Sequence, residues 1–203
     1  MIKIALPKGR LGQKILSLFG VNNISRKLIF NLPDFNISCL WVKPFDVPVY
    51  VELGTADAGI VGSDVLMERD CDVYELLSMN AGKCRISVAA PDNFSDDADN
   101  LLKVATELPK IASDYFASLG RMVDIIPLRG STELAAITGL AHVIVDIVET
   151  GETLRANNLR EIAKITDISG KVIVNKSAYK FKRSEIDTFI RKVHEIDKNY
   201  PSL

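Results

Sequence analysis

A two-lobed α/β fold is what this sequence predicts, and three observations carry the prediction. Short aliphatic, β-branched runs, such as residues 2–6, 37–42 and 142–147, alternate with stretches whose apolar residues recur at helical spacing. A turn-rich acidic stretch, Pro91-Asp92-Asn93-Phe94-Ser95-Asp96-Asp97-Ala98-Asp99-Asn100, interrupts the alternation near mid-chain, so the crossing into a second lobe is placed at the strand before it. Two later strand-like runs, 159–165 and 172–175, return the chain to the first lobe. The expected domains are residues 1–88 with 173–203, and residues 89–172. Alternation in two lobes, with the chain crossing out and back, is what a hinged α/β clamshell requires.

Size and composition agree with a soluble globular protein. Its 203 residues are 47% hydrophobic and 25% charged, enough to bury a substantial core. A net charge of −1 and a pI near 6.2 argue against a general nucleic-acid or membrane surface. No apolar run approaches the ~20 residues that a membrane span needs, and the N-terminus has no signal-peptide pattern. Cys39, Cys71 and Cys84 form no C-x-x-C pair and no zinc spacing. A reducing cytoplasm suits them. His142 and His194 lie far apart in sequence and read as packed or surface imidazoles.

Taken in order, residues 2–6 read as a buried strand, and Pro7-Lys8-Gly9-Arg10 is the turn that follows. The next helix carries Leu11, Ile15, Leu18 and Phe19 on one face. Lys8 and Arg10 therefore stand at a strand-to-helix corner, beside a positive helix end, where two cations repel unless an anion separates them. Solvated surface charges are the alternative. Residues 24–30 lead into a strand, and 37–42 form the next. Lys43-Pro44-Phe45-Asp46-Val47-Pro48 opens a helix with Val49, Tyr50, Val51 and Leu53 in its body, Gly54 as its stop and Asp46 as a candidate N-cap. Residues 55–64 form a tight strand-turn-helix, with Asp64 expected to cap the helix. Residues 81–91 begin charged, at Lys83 and Arg85, and continue as a buried strand.

Beyond the acidic stretch, residues 104–107 read as a strand and 109–119 as a helix with Ile111, Tyr115 and Leu119 on one face and Gly120 as its C-cap. Residues 123–127 are a strand, and Ser131 starts a helix holding Glu133. The last helix, 184–197, shows Ile186, Phe189, Ile190, Val193 and Ile196 on one face. The most informative element is residues 142–147, a run with the pattern of a fully buried strand. It leads into Glu149-Thr150-Gly151-Glu152-Thr153 and a short helix from Leu154. A strand, a turn of small and hydroxyl residues and a helix start together offer unpaired N–H groups to an anion. Thr150 and Thr153 add hydroxyl donors, and Gly151 lets the backbone come close. Asp146 and Glu149 would repel a phosphate but suit sugar hydroxyls or a Mg²⁺ ion. Phosphate plus ribose is the sharper reading. An ordinary β-turn-helix with a Thr N-cap is the other, and the loop alone does not choose. Neither G-x-x-x-x-G-K-[ST] nor G-x-G-x-x-G occurs.

Glu133, Gly139-Leu140-Ala141, Ile144-Val145-Asp146-Ile147 and Thr150-Gly151-Glu152-Thr153-Leu154 together resemble the signature of the ATP phosphoribosyltransferase family, which makes the first committed step of histidine biosynthesis. Leu6-Pro7-Lys8-Gly9-Arg10 resembles that family's N-terminal motif. Ala56-Asp57-Ala58-Gly59-Ile60-Val61-Gly62-Ser63-Asp64 resembles its A-D-x-G-[IV]-x-G-x-D segment, and Gly82-Lys83-Cys84-Arg85 its G-K-C-R. The likeness runs to Asn175. Lys43 stands where many members have Arg, which keeps the charge but loses the bidentate fork. His142 stands where many carry Asp.

The resemblance implies a two-lobed clamshell fold similar to type II periplasmic binding proteins. The chain stops at Leu203 with no segment like the histidine-binding regulatory domain, so the resemblance implies the short form. Its partner would be a separate histidyl-tRNA-synthetase-like subunit in a hetero-octamer. The implied substrates are ATP and phosphoribosyl pyrophosphate, with no nucleic-acid or membrane partner. The implied reaction joins N1 of adenine to C1 of the ribose and releases pyrophosphate. Lys8, Arg10 and Arg26 are the expected catalytic cations, aided by Lys43 at the pyrophosphate or ATP phosphates. Thr150, Gly151 and Thr153 would seat the 5′-phosphate, and Asp146 and Glu149 the ribose. Asp64, Arg85 and Glu152 are further expected substrate contacts. Mg²⁺ is the expected cofactor, held mainly on pyrophosphate with no dedicated protein site. A clamshell solute-binding module and an inactive regulatory lobe are the alternatives.

Overall fold

Strand-forming and helix-forming stretches alternate as the residue pattern demands. The computed structural model describes residues 1–21, 27–97 and 100–198. The chain runs through β1 (Ile2–Pro7), α1 (Arg10–Leu18), β2 (Ile29–Leu32), β3 (Ile37–Val42), α2 (Val47–Glu52), β4 (Ala58–Gly62), α3 (Ser63–Glu68) and β5 (Tyr74–Ser78). It continues as β6 (Cys84–Pro91), β7 (Leu102–Thr106), α4 (Pro109–Ser118), β8 (Val123–Pro127), α5 (Thr132–Ile137), β9 (Val143–Val148), α6 (Glu152–Ala156) and β10 (Leu159–Ile168). It closes with β11 (Gly170–Val174), α7 (Lys176–Phe181) and α8 (Arg183–Lys198).

Two units result, Met1–Lys83 with Ser169–Leu203, and Cys84–Ile168. The crossings therefore fall earlier than the expected boundaries after residues 88 and 172. The reason is cooperative pairing. β6 is one continuous strand, bonded to β9 and to β10 on its two sides, so its first residues cannot belong to another lobe. β11 likewise pairs from Gly170 onward with β4.

The first unit holds a six-stranded sheet in the order β2-β3-β1-β4-β11-β5, with β3, β1 and β4 mutually parallel. Both faces are covered, which explains why β1 reads as an apolar run broken only by the exposed Lys3. Ile4, Leu6 and Ile60 pack with Ile15 and Leu16 of α1 and Ile186, Phe189 and Val193 of α8. Ala5, Val61 and Ile173 face Val47 and Val51 of α2 and Val65 of α3 on the other side. Gly12 sets how closely α1 approaches: a Cβ there would lie 1.7 Å from the Pro7 carbonyl oxygen and 2.7 Å from the Trp41 ring. Buried polar residues tie the ends together. Asp57 accepts from the Lys3 N–H at 2.8 Å and from Lys182 Nζ at 2.9 Å. Asp197, near the end of α8, accepts from the N–H groups of Asn80 at 2.6 Å and Ala81 at 2.8 Å.

The second unit holds a five-stranded sheet in the order β10-β6-β9-β7-β8. β9, β7 and β8 are parallel, and β6 runs antiparallel to both of its neighbours. Ala135 and Ala136 of α5 and Leu154 of α6 pack on Ala89, Ala105, Ile144 and Val148.

Several local expectations are corrected. Asp46 occupies the N-cap position of α2 without a side-chain cap bond, because a 3₁₀ turn at Pro44–Asp46 already leads into the helix. The N-cap of α3 is Gly62, and Asp64 is the second helical residue. Leu119 is 62% exposed, and the buried face of α4 is Ile111, Ala112 and Phe116. β9 is not buried throughout, since Ile147 is 42% exposed between a half-buried Asp146 and a buried Val148. β5 and α7 had no counterpart in the sequence reading. The expected run-in at residues 24–26 lies outside the described residues.

Candidate active site

Three parallel strands of the first sheet, β3, β1 and β4, deliver their carboxyl ends to one edge, where ligands of open α/β sheets bind. Pro7 pairs with Val42, so Lys8 and Lys43 leave neighbouring strands in register, and the Lys8 N–H donates to the Val42 carbonyl at 2.7 Å. Gly9, with φ 102°, turns the chain into α1, whose first residue is Arg10. Lys8, Arg10 and Lys43 are all exposed, and no acidic side chain occupies the first turn of α1. Asp64 stands at the end of β4 and is buried. Burial pushes its carboxyl above the ordinary aspartate range, while the N–H groups of Asp64 and Val65 draw it back. Arg26 lies outside the described residues.

In the second unit the chain goes from β7 out to β8 and returns to β9 on the other side of β7. That reversal makes the carboxyl ends of β7 and β9 a topological switch point. Asp146 is near the end of β9. Its Oδ2 accepts from the Thr132 hydroxyl and its Oδ1 from the Ile147 N–H at 2.6 Å. Burial raises the Asp146 carboxyl, the Thr132 and Ile147 bonds lower it, and the Glu133 charge raises it. Thr106 pairs with Val145, so Glu107 leaves β7 beside Asp146. Burial first, and the Asp146 charge second, push the Glu107 carboxyl up, with Arg129 opposing.

The turn after β9 is built for its backbone. Gly151, at φ 73°, is the N-cap of α6 and holds a left-handed conformation that other residues resist. The Glu152 N–H reaches the Thr150 hydroxyl at 3.4 Å, and Thr150 and Thr153 are exposed. Behind the turn, Arg85 Nε donates to Glu161 Oε2 at 2.7 Å and Arg85 Nη2 to Glu161 Oε1. Arg85 Nη1 reaches the Glu149 carbonyl at 3.2 Å. The fork raises the Arg85 pKa and holds the Glu161 carboxyl below the ordinary glutamate range. Of the expected residues, Arg85, Asp146, Glu149, Thr150, Gly151, Glu152 and Thr153 thus assemble in one unit, and Lys8, Arg10, Lys43 and Asp64 in the other.

Known proteins share this chain from end to end. A family model described as ATP phosphoribosyltransferase matches residues 43–195. An ATP phosphoribosyltransferase of Brachyspira hyodysenteriae is 51% identical over 205 residues, spanning 97% of this chain and 100% of the relative. The chain belongs to the ATP phosphoribosyltransferase family. A Clostridium botulinum (strain Okra / Type B1) member is 47% identical over 206 residues, spanning 96% of this chain and 97% of its own. Among solved structures, the ATP phosphoribosyl transferase (HisG:HisZ) complex from Thermotoga maritima contains a chain 38% identical to this one, with TM-score 0.83 and 98% of each chain covered. The two-lobed architecture expected from the family resemblance is the one found.

The family signature thereby acquires neighbours that sequence reasoning did not find. Thr132 is 1% exposed and holds Asp146; it lies one residue before Glu133 of the signature, but a lone Thr gives no signal. Glu161 sits on β10, outside every quoted motif; β10 lies beside β6 with Glu161 opposite Ala89 and Asp167 opposite Arg85, so the Arg85–Glu161 pair runs diagonally between the two strands. Glu107, which the residue pattern places at the end of a strand, belongs to the switch point.

Proposed function

We propose that this chain condenses ATP with 5-phosphoribosyl 1-pyrophosphate to give N1-(5-phosphoribosyl)-ATP and pyrophosphate, the first step of L-histidine biosynthesis. The observation that carries the reading is the turn after β9. Gly151 at positive φ opens the backbone beside two exposed threonines, and a half-buried, hydrogen-bonded Asp146 lies at the same strand end. The turn suits a phosphate monoester and Asp146 suits ribose hydroxyls.

Adenine N1 already carries a lone pair, so the reaction needs no strong base to make its nucleophile. The lone pair forms a bond to C1 while the C1–O bond to pyrophosphate breaks, and the leaving oxygen keeps that electron pair. Alignment and stabilisation of the leaving charge are then the main tasks. Lys8 and Arg10, with Lys43 and Arg26, would neutralise pyrophosphate or ATP phosphates. Asp64, Glu149 and Glu152 are further proposed contacts.

The family chemistry calls for a divalent cation, which we take to be Mg²⁺. Among the described residues no group of three or more His, Cys, Asp or Glu side chains is gathered to hold a metal. Glu107 and Asp146 would offer oxygen ligands, and the remaining ones would come from pyrophosphate. When bound, the cation neutralises charge on that leaving group.

The partner we propose is a histidyl-tRNA-synthetase-like regulatory subunit in a hetero-octamer, as the short form implies. The relative's complex, described as HisG:HisZ, supports it. A cytoplasmic location fits three free cysteines, and no helix among the described residues is long and apolar enough to cross a membrane. An assay of pyrophosphate release from the two substrates, with and without that subunit, tests the whole reading. A solute-binding module would bind one ligand and release nothing, and an inactive lobe would only alter its partner.

A further inference from the structure

Two consecutive carbonyls of the turn after β9 are each held by an arginine. Arg85 Nη1 donates to the Glu149 oxygen at 3.2 Å, and Arg155 Nη1 to the Thr150 oxygen at 3.1 Å. In a trans peptide the C=O and the following N–H point in opposite directions. The Thr150 N–H is therefore turned away from the Arg85 guanidinium, and the Gly151 N–H from that of Arg155. Among the described residues neither N–H has an acceptor within the chain.

Each arginine is itself restrained. Arg85 is locked by its two bonds to Glu161, which arrives on β10 across β6. Arg155 lies beside the same carboxylate: a Cβ built on Gly151 would be 3.2 Å from Arg155 Nη1 and 3.7 Å from Glu161 Oε1. An acidic residue so close to a phosphate seat is unfavourable as a ligand contact and makes sense as a brace.

We propose that Arg85, Glu161 and Arg155 are positioning residues that hold the Glu149 and Thr150 carbonyls so that the Thr150 and Gly151 amides meet the substrate's 5′-phosphate. The inference rests on reading this turn as the phosphate seat. It assigns the Arg85 guanidinium to the protein backbone, where the sequence had suggested a substrate contact.

The sign of the effects separates a brace from a charge. Acting through charge, loss of Arg85 weakens phosphate binding and loss of Glu161 strengthens it. Acting through position, both losses weaken it. The experiment measures KM for each substrate in the complex with its regulatory subunit, for Arg85→Lys, Arg155→Ala and Glu161→Gln. All three are expected to raise KM for phosphoribosyl pyrophosphate about tenfold, with KM for ATP changed less than about twofold. A lowered or unchanged KM in Glu161→Gln overturns the proposal, and if Arg85→Lys fails to fold, this nearly isosteric variant still decides. Gly151→Val is the control. Normal KM there removes the phosphate-seat reading and the brace with it; raised KM there, beside normal KM in the three brace variants, overturns the brace alone.

Discussion

The corner after β1 and the turn after β9 differ in where their positive charge resides. At the corner it is carried by the side chains of Lys8, Arg10 and Lys43, all exposed. At the turn, the arginines point to carbonyls and the surface offered outward is backbone N–H and threonine hydroxyl. On the proposed reading, the difference matches two kinds of anion. A leaving pyrophosphate gains charge as its bond breaks, and mobile cations can follow that change. A 5′-phosphate does not change during the reaction, so fixed dipoles that need no reorganisation hold it best.

Arg10→Ala should have the largest effect, lowering kcat about 10²–10³-fold if the corner serves the leaving group. Unchanged kcat in steady-state assays would remove Arg10 from that role and end the contrast. Gly12→Ala tests the corner's geometry instead, because the new Cβ would meet the Pro7 oxygen at 1.7 Å. A loss of about 2–3 kcal/mol is expected in denaturant unfolding, as α1 is forced off the end of β1. Salt should separate the two anion sites next. Between low and high ionic strength, pyrophosphate affinity should fall about tenfold and ribose 5-phosphate affinity about twofold, since exposed side-chain charges are screened most. Titration calorimetry at several salt concentrations reads both.

Thr132→Val should give the smallest effect. The Thr132 hydroxyl holds the Asp146 carboxyl down against burial, so its removal lets that pKa rise further. If ionised Asp146 binds ribose, the acid limb of the kcat/KM profile should move to higher pH. Thr132→Ser should restore it. A profile that stays in place would mean that Asp146 does not titrate in the working range.

Much of both sites was legible because local pattern reports local structure. Pro7-Lys8-Gly9-Arg10 lies between an apolar run and a helical stripe, which is enough to place two cations at a strand-to-helix corner. Residues 142–154 likewise spell strand, turn and helix, and the structure gives β9, a turn and α6. What failed did so for a common reason. β5 pairs antiparallel with β11, far along the chain, and carries mostly exposed or half-exposed side chains, so its own periodicity is weak. Leu119 was assigned to a buried face from spacing alone, although α4 ends one residue before it. The lobe boundaries moved because a strand joins whichever sheet its whole length can pair with.

The residue pattern by itself determined the alternation of strands and helices and the places where exposed cations and an open turn would stand. Those features depend on neighbours within one or two helical turns. The tertiary structure alone decided that Thr132 holds Asp146, that Glu161 holds Arg85, and that Arg85 faces the Glu149 carbonyl of the turn. Such partnerships depend on strand register and sheet order, which join residues up to 76 positions apart and leave no periodic trace in the chain.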